Sequence, residues 1–315
     1  MNYDKETRPN GVPSLTAEVL AEAMPWIKNC TGKTIVIKYG GAAMVDEKLR
    51  ADVMADIVLL KIIGMNPVIV HGGGKAITAA MQRHQLEVKF VDGQRVTTDE
   101  AMELVRTVLT GKVNQELVAA INIHGNLAVG VSGADAGTII ASQADPRLGR
   151  VGKVECINSQ LLEDMVASDF IPVLATVGID EEGGFYNVNA DVVAGHVAAA
   201  IGAHKIVFLT DVDGLYEDFS NKDSLVSRMT LQEAKDLVES GTLSSGMVPK
   251  MRSCVHAMEA GVHRAHIING TTPHALLLEL LTDKGIGTMV DQQKDPEAFE
   301  KKPLGVFASR LAVNH

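Results

Sequence analysis

Two short glycine runs in the chain follow apolar, β-branched segments and could bind an anion. Gly40 and Gly41 follow residues 35–39, and residues 72–74, which are all glycine, follow residues 68–71. A glycine has no Cβ, so its backbone N–H can approach a phosphate closely, and a helix that begins behind the loop adds the positive end of its dipole. This repeated pattern predicts a phosphate-binding site.

The segment between the two runs has the length of one helix, which we expect to begin near Asp46 and to end at Gly64. Strand, helix and strand then form a βαβ unit. Because the crossover in such a unit is right-handed and returns the chain to the same side of a parallel sheet, both glycine loops should emerge at one edge of it.

Later segments repeat this alternation of strands and helices. Thr97 and Glu100 have the spacing of a capping box at the start of a long helix that ends near Gly125. The remaining pattern predicts strands at residues 128–131, 154–156, 171–175, 205–210 and 265–268, a hairpin across residues 180–184, and helices at residues 190–201, 231–239, 249–260 and 273–281. Such alternation is typical of an α/β protein with a mostly parallel sheet and ligands at the carboxyl ends of its strands.

The composition argues against several other classes of protein. With 315 residues, of which 46% are hydrophobic, the chain is long enough for two lobes with buried cores. Its formal net charge of -10 disfavours nucleic-acid binding. Three widely spaced cysteines predict neither a disulfide framework nor a Cys-x-x-Cys metal site, and no segment resembles a signal peptide or a membrane span. We therefore expect a cytoplasmic protein without nucleic-acid or membrane partners.

Two common nucleotide-binding motifs fail when they are compared letter by letter. The Rossmann fingerprint, G-x-G-x-x-G, needs a glycine or another small residue at its last position. Gly72 and Gly74 match its first two glycines, but Ile77 stands at the last position. Walker A needs a leading glycine where Ile27 stands, and its candidate ending at residues 32–34 lies before a strand rather than after one.

His71 and the three glycines behind it also match the oxyanion-hole sequence of lipase-like esterases. Those enzymes need a G-x-S-x-G nucleophile elbow downstream. The nearest candidate surrounds Ser132, lacks the last glycine and leads into no helical pattern. An HGGG-type serine esterase is therefore a remote alternative.

Six motifs in order resemble those of the amino acid kinase family, over about residues 15–290. They are the glycine loops after Lys38 and His71, Arg95 before the long helix, and the segments at residues 187–191, 210–216 and 246–250. The resemblance implies a three-layer αβα sandwich with a mostly parallel central sheet. It also implies ATP-dependent phosphorylation of the side-chain carboxylate of N-acetyl-L-glutamate, a step of arginine biosynthesis.

A carboxylate that attacks the γ-phosphate of ATP is already ionised at neutral pH, so the reaction needs no general base. The obstacle is repulsion between the two anions. By the resemblance, Lys38 and Lys250 supply the opposing positive charge from the two lobes, and Asp191 holds both ammonium groups in position.

The resemblance also assigns residues to the two substrates. Gly73 and Gly74 approach the acyl amino acid and the phosphoryl group, Arg95 grips the α-carboxylate, and Asn187 or Asn189 completes the hydrogen bonds of that carboxylate. Eight further residues fall where the family binds the nucleotide: Gly40, Gly41, Thr210, Asp211, Gly214, Leu215, Gly246 and Met247. We expect Mg²⁺ to arrive on ATP, because no carboxylate cluster marks a metal site built by the protein, and we expect no tightly bound cofactor.

The resemblance further implies three regions and a form of regulation. Residues 1–30 would be an extension with an amphipathic helix, residues 31–203 the lobe for the acyl amino acid and dimerisation, and residues 204–315 the lobe for ATP. Members of the family with such a helix are hexamers, trimers of dimers, that arginine inhibits. We therefore expect a homohexamer with arginine as its effector, bound in the second lobe near His266 and Glu279.

Two departures from the family bear on that regulation. Residues 269–271 read Asn-Gly-Thr where an aspartate and then an arginine are usual, and Ala134 stands where a lysine is common. Other members of the family are alternatives: kinases for carrier-bound aminoadipate, glutamate, aspartate, carbamate or uridylate. A catalytically silent amino-acid sensor is a further alternative.

Overall fold

A computed structural model describes the backbone of residues 12–44, 46–218, 220–282 and 285–292, and their side chains except those of residues 12–20, 42 and 43. The ends of the predicted outer regions, residues 1–11 and 293–315, lie outside the described residues.

Strands and helices alternate through the described residues. The strands are β1 (Thr34–Tyr39), β2 (Asn66–His71), β3 (Phe90–Val91), β4 (Gln94–Arg95), β5 (Ala128–Ser132), β6 (Ile139–Gln143), β7 (Val151–Ile157), β8 (Ile171–Ala175), β9 (Val177–Ile179), β10 (Phe185–Val188), β11 (Lys205–Thr210), β12 (Arg228–Thr230), β13 (Arg264–Asn269) and β14 (Thr288–Asp291). The helices are α1 (Val12–Cys30), α2 (Glu47–Ile62), α3 (Gly74–Arg83), α4 (Asp99–Arg106), α5 (Gln115–Asn122), α6 (Gln160–Ala167), α7 (Ala190–Ala200), α8 (Leu231–Ser240), α9 (Val248–Glu259) and α10 (Ala275–Leu281).

Eight strands form the central sheet, in the order β12-β14-β13-β11-β1-β2-β8-β5. The six strands from β13 to β5 are parallel, whereas β14 is antiparallel to β13. The predicted mostly parallel sheet is confirmed. Strands β6, β7, β9 and β10 form a smaller closed sheet, in which β9 and β10 are the predicted hairpin.

Helices cover both faces of the central sheet because successive side chains of its strands point to opposite faces. On β1, Ile35 and Ile37 join a buried cluster with residues of α2, α5 and α10, whereas Val36 joins a second cluster with residues of α7 and α9. Strands buried on both faces are continuously apolar, as residues 35–37 and 68–70 are. The predicted three-layer αβα sandwich is confirmed.

The long helix begins one residue later than the predicted capping box requires. Thr98 caps α4 through a hydrogen bond from the Ala101 backbone N–H to its hydroxyl, at 3.1 Å. Thr97 instead is buried and donates to the Arg95 carbonyl. The prediction that Thr97 and Glu100 form the box was therefore wrong, because the tertiary position of Thr97 takes its hydroxyl away from the helix.

A π-helical segment, Thr107–Asn114, joins α4 to α5 without interrupting the long helix. Its last residue, Asn114, reaches the central sheet, where the Asn114 amide donates to the Val173 carbonyl of β8 at 2.7 Å. Such segments occur often at functional sites.

Two further observations concern membrane-spanning helices and the cysteines. None of the described helices is long and apolar enough to cross a bilayer. Cys30, Cys156 and Cys254 are all free thiols.

Candidate active site

Both glycine loops lie at the same edge of the central sheet, as the βαβ unit predicts. Strands β1 and β2 are parallel neighbours, and Tyr39 lies opposite His71 in their register. Each glycine run begins one residue after this pair, so the two runs lie side by side at the edge of the sheet. Asp46 caps α2 behind the first run, and α3 begins directly behind the second.

Two lysines from distant parts of the chain meet one carboxylate beside these loops. Lys38 Nζ lies 2.9 Å from Asp191 Oδ1, and Lys250 Nζ lies 3.0 Å from Asp191 Oδ2. The Lys250 contact is also a directed hydrogen bond, and Lys250 donates a second one to the Gly246 carbonyl at 3.2 Å. The three predicted catalytic residues therefore converge, although Lys38 and Asp191 are 153 positions apart in the sequence and Asp191 and Lys250 are 59 positions apart.

Asp191 is held at the first turn of α7, where the helix dipole stabilises a negative charge. Burial alone would raise its pKa, but the charges of Lys38 and Lys250 hold the pKa below its usual range. The carboxylate is therefore ionised at neutral pH. Two ammonium groups against one carboxylate leave a net positive charge at the centre of the site.

A large cavity lies on the Lys250 side of this centre. Its volume is about 880 Å³, and it is bounded by the loop after β11 and by helices α8 and α9. The wall contains the six nucleotide residues predicted from the second half of the chain: Thr210, Asp211, Gly214, Leu215, Gly246 and Met247. Apolar side chains, among them Val226, Leu237 and Leu243, complete the wall and could cover a flat aromatic base.

A smaller cavity, of about 260 Å³, lies on the Lys38 side. Its lining includes every residue predicted for the acyl amino acid and for the first glycine loop, together with two of the predicted catalytic residues: Lys38, Gly40, Gly41, Gly73, Gly74, Arg95, Asn187, Asn189 and Asp191. The two cavities thus meet at the cluster of Lys38, Asp191 and Lys250.

Arg95 is buried in the wall of the smaller cavity. Its guanidinium donates to the Thr78 hydroxyl at 2.7 Å and to the Gly74 carbonyl at 3.0 Å, and it lies 4.8 Å from the centre of the Phe90 ring. Burial lowers the pKa of Arg95 from its usual value. Among the described residues, no carboxylate oxygen lies within 4 Å of this guanidinium, so its charge is available to an anionic ligand.

The two candidate asparagines differ in their surroundings. Asn189 caps α7, and its side-chain oxygen accepts from the Asp191 backbone N–H at 2.8 Å. Asn187 donates to the Thr97 hydroxyl at 3.2 Å, which in turn donates to the Arg95 carbonyl. Asn187 is therefore connected to the segment that carries Arg95, whereas the side chain of Asn189 caps α7.

Phe90 is a cavity residue that the sequence analysis missed. It pairs with Arg95 across a two-residue hairpin whose turn is Asp92-Gly93, and both turn residues have positive φ, 50° and 76°. Asp-Gly between two short extended segments is a strong hairpin signal, so the sequence held the information that places Phe90 beside Arg95.

The predicted effector residues form a buried pair. His266 on β13 and Glu279 on α10 are joined by a 2.7 Å contact between His266 Nδ1 and a carboxylate oxygen. The other oxygen accepts from the backbone N–H groups of Ile286 and Gly287. Burial opposes ionisation of Glu279, but these donors hold its pKa below the usual range.

Lys205 lies on β11 close to this pair. It is 4% exposed, and burial lowers its pKa. Its Nζ lies 5.9 Å from the centre of the Trp26 ring of α1. Within the part of the chain that the structure describes, Lys205 forms no ion pair shorter than 4 Å.

The described residues contain no group of three or more histidine, cysteine, aspartate or glutamate side chains placed to hold a metal ion. The lysine cluster and the two adjoining cavities are instead suited to polyanionic and carboxylate ligands.

Comparisons with known proteins agree with this geometry. Residues 33–269 match the amino acid kinase family. Acetylglutamate kinase of Caldanaerobacter subterraneus subsp. tengcongensis is 48% identical over 282 residues, which are 89% of this chain and 94% of that protein. Acetylglutamate kinase of Halothermothrix orenii is 48% identical over 283 residues, which are 88% of this chain and 98% of that protein.

A solved structure supports the same assignment. N-acetylglutamate synthase from Neisseria gonorrhoeae, in complex with coenzyme A and N-acetyl-glutamate, superposes with a TM-score of 0.77 at 25% identity. The superposition covers 89% of this chain but only 64% of that one. With the family match, the two relatives and the fold in agreement, the chain belongs to the amino acid kinase family.

Proposed function

We propose that this chain transfers the γ-phosphoryl group of ATP to the side-chain carboxylate of N-acetyl-L-glutamate. The observation that carries this proposal is the meeting of a large and a small cavity at Lys38, Asp191 and Lys250. A nucleotide in the large cavity and a small acid in the other would bring their reacting groups to these lysines. The two relatives described above are acetylglutamate kinases.

Charge neutralisation is the main catalytic task. Two unit charges about 4 Å apart repel by about 4 kcal/mol at an effective dielectric constant of about 20. Lys38 contacts Asp191 from the small cavity and Lys250 contacts it from the large one, so each ammonium can meet a different side of the transferred group. Preorganised cations of this kind stabilise the charge that develops in phosphoryl transfer.

Substrate orientation would rest on Arg95 and Asn187. A guanidinium offers two parallel donors to a carboxylate, and Arg95 has no acidic partner within the described residues. Asn187 shares Thr97 with the Arg95 segment, which favours Asn187 over Asn189 as the second contact of the α-carboxylate. Mg²⁺ would enter with the nucleotide and keep several of its water ligands.

The decisive experiment offers the purified chain Mg²⁺ and ATP with one acceptor at a time: N-acetyl-L-glutamate, L-glutamate, L-aspartate or carbamate. ADP is measured, and acyl phosphate is trapped with hydroxylamine. We expect both products with N-acetyl-L-glutamate only. Preferential ADP formation with an unacetylated acid would refute the choice of substrate, and labelling of a serine by a fluorophosphonate would favour the esterase alternative.

We also propose that arginine inhibits the enzyme by binding beside His266 and Glu279. The buried Glu279 carboxylate suits a guanidinium, and the nearby Lys205 suits an α-carboxylate. Helix α1 packs against α10, which carries Glu279, so a ligand there could act on the N-terminal helix. Asn269 instead bonds Asp213, next to Gly214 of the large cavity, so we expect this departure to leave arginine binding intact.

Calorimetry with arginine tests this regulatory proposal separately. We expect binding that Glu279→Gln weakens by at least about 10-fold, because a charged hydrogen bond is lost. Unchanged affinity in that variant would move the effector elsewhere. We further propose that the protein is cytoplasmic and forms a homohexamer. Light scattering would test the hexamer, whose expected mass is six times the 33.6 kDa of one chain.

A further inference from the structure

His71 lies beneath the second glycine loop and is completely buried. Both nitrogens of its ring have a partner at 3.0 Å: Nδ1 contacts the Gly72 carbonyl oxygen, and Nε2 contacts the side-chain amide nitrogen of Asn114. The proposed transfer assigns no role to His71 or Asn114. Their contacts define where the imidazole proton resides.

The Val173 carbonyl determines which end of the Asn114 amide faces the histidine. This carbonyl lies 2.7 Å from Asn114 Nδ2, and only a donor can occupy that position. The same NH₂ group has a second hydrogen, which therefore points to His71 Nε2. Nε2 must accept it, so the hydrogen of a neutral imidazole resides on Nδ1 and is donated to the Gly72 carbonyl. Burial supports the neutral form by lowering the pKa of His71 to about 4.

This donation sets the direction of the peptide between Gly72 and Gly73. Because a trans peptide is planar, the Gly73 N–H points in the opposite direction to the Gly72 carbonyl, away from the buried ring. Gly73 lines the small cavity and precedes α3, and its N–H has no acceptor among the described residues. A methyl group at Gly73 would lie 2.7 Å from a Leu109 methyl carbon, so the π-helical segment closes the other side of the loop.

We propose that His71 and Asn114 are positioning residues for phosphoryl transfer: Asn114 selects the Nδ1–H tautomer of His71, which aims the Gly73 N–H at the reacting groups. This inference rests on the proposed function, because the group that Gly73 would contact is the acyl amino acid or the transferred phosphoryl. The π-helical segment is what brings Asn114 to the histidine, and it thereby connects the long helix to the glycine loop.

The first test reads the tautomer directly and needs no activity. Nitrogen-15 NMR of histidine-labelled wild-type protein, with His71 assigned by its loss in His71→Asn, should show a neutral Nδ1–H ring. An Nε2–H ring or an imidazolium at neutral pH would overturn the proposal. Asn114→Ala should change the His71 signal, whereas Asn122→Ala, a matched change on α5 whose side chain bonds the Leu127–Ala128 backbone, should leave it unchanged.

The second test uses two replacements that each imitate one ring nitrogen. His71→Asn places an amide near Nδ1 and can still donate to Gly72, whereas His71→Gln places an amide near Nε2 and cannot. We expect kcat within about 3-fold of wild type for His71→Asn and a loss on the order of 10²-fold for His71→Gln, with a smaller change in the KM for ATP.

Equal kcat values in the two variants at equal thermal stability would overturn the positioning role. If both variants fail to fold, the wild-type NMR result still decides, with the His71 signal assigned as the one that Asn114→Ala changes and Asn122→Ala does not. A wild-type protein that does not phosphorylate N-acetyl-L-glutamate would refute the proposed function, and the tautomer measurement would remain interpretable.

Discussion

At the scale of single residues, one carboxylate organises two cations. Lys250 contacts Asp191 and also donates to the Gly246 carbonyl, whereas Asp191 is the only polar partner of the Lys38 ammonium among the described residues. In the proposed transfer, Lys38 would have fewer contacts to break than Lys250 in order to follow a moving phosphoryl oxygen. The compact charge of an ammonium on a flexible stem suits that task.

Replacing either lysine by alanine should lower kcat by at least about 10²-fold, because a preorganised donor to the transition state is lost. Steady-state kinetics with N-acetyl-L-glutamate would measure it. Lys235→Ala is the matched control, since Lys235 pairs with Glu259 away from both cavities and should retain full activity. A near-normal rate in Lys38→Ala would remove Lys38 from the mechanism.

Arg95→Lys should mainly raise the KM for the acyl amino acid, because lysine keeps the charge but cannot make two parallel bonds to a carboxylate. Initial rates at varied concentrations of each substrate separate the two KM values. The control is Arg147→Lys, an exposed arginine that pairs with Asp145. An effect limited to the KM for ATP would show that Arg95 serves the other cavity.

At the scale of elements, the first glycine loop has a steric requirement as well as a conformational one. A methyl group at Gly40 would lie 2.9 Å from Lys38 Nζ. That nitrogen is the far end of a flexible side chain, so the clash displaces the lysine rather than the backbone. The absence of a side chain at Gly40 thus leaves room for the Lys38 side chain.

Gly40→Ala should therefore lose activity by at least about 10-fold while the melting temperature changes little, since only the position of a transition-state donor is disturbed. Gly111→Ala is the control: it lies in the long helix, has no atom within 4 Å of the added methyl, and should keep its activity. Calorimetry and kinetics on both variants would check this. Loss of folding in Gly40→Ala would contradict the side-chain explanation.

At the scale of the whole molecule, one polar contact joins α2 to the start of α10. His274 Nδ1 lies 2.7 Å from Asp56 Oδ1; Asp56 is buried and His274 is exposed. Hydrogen bonding and charge from Asp56 raise the pKa of His274, and burial raises the pKa of Asp56. The protonated histidine is thus favoured in the folded protein.

This linkage predicts a pH dependence of stability. A raised histidine pKa contributes stability that is complete below the ordinary value of 6.5 and is lost as the pH rises through the folded value. The melting temperature should therefore fall between pH 6 and 8 more in the wild type than in His274→Asn, which tolerates the positive φ of 57° at this position. His124→Asn serves as the control. Parallel pH profiles for wild type and His274→Asn would contradict the linkage.

Local sequence determined most of the elements. The continuously apolar runs before both glycine loops predicted buried parallel strands, and Asp46 predicted the start of α2, because strand burial and helix capping depend on near neighbours. The Asp92-Gly93 hairpin was also readable, although it was overlooked. The candidate site residues were identified through the family resemblance. A single arginine or aspartate in the sequence would not by itself have indicated a site.

Only the tertiary structure decided how those residues meet. The convergence of Lys38, Asp191 and Lys250 depends on the order of strands in the sheet and on the packing of α7 and α9, which no local propensity specifies. The same holds for Thr97, which leaves the helix cap for Arg95 and Asn187, and for the π-helical turn that delivers Asn114 to His71. In each case, long-range burial and hydrogen bonding outweigh what the neighbouring residues alone would favour.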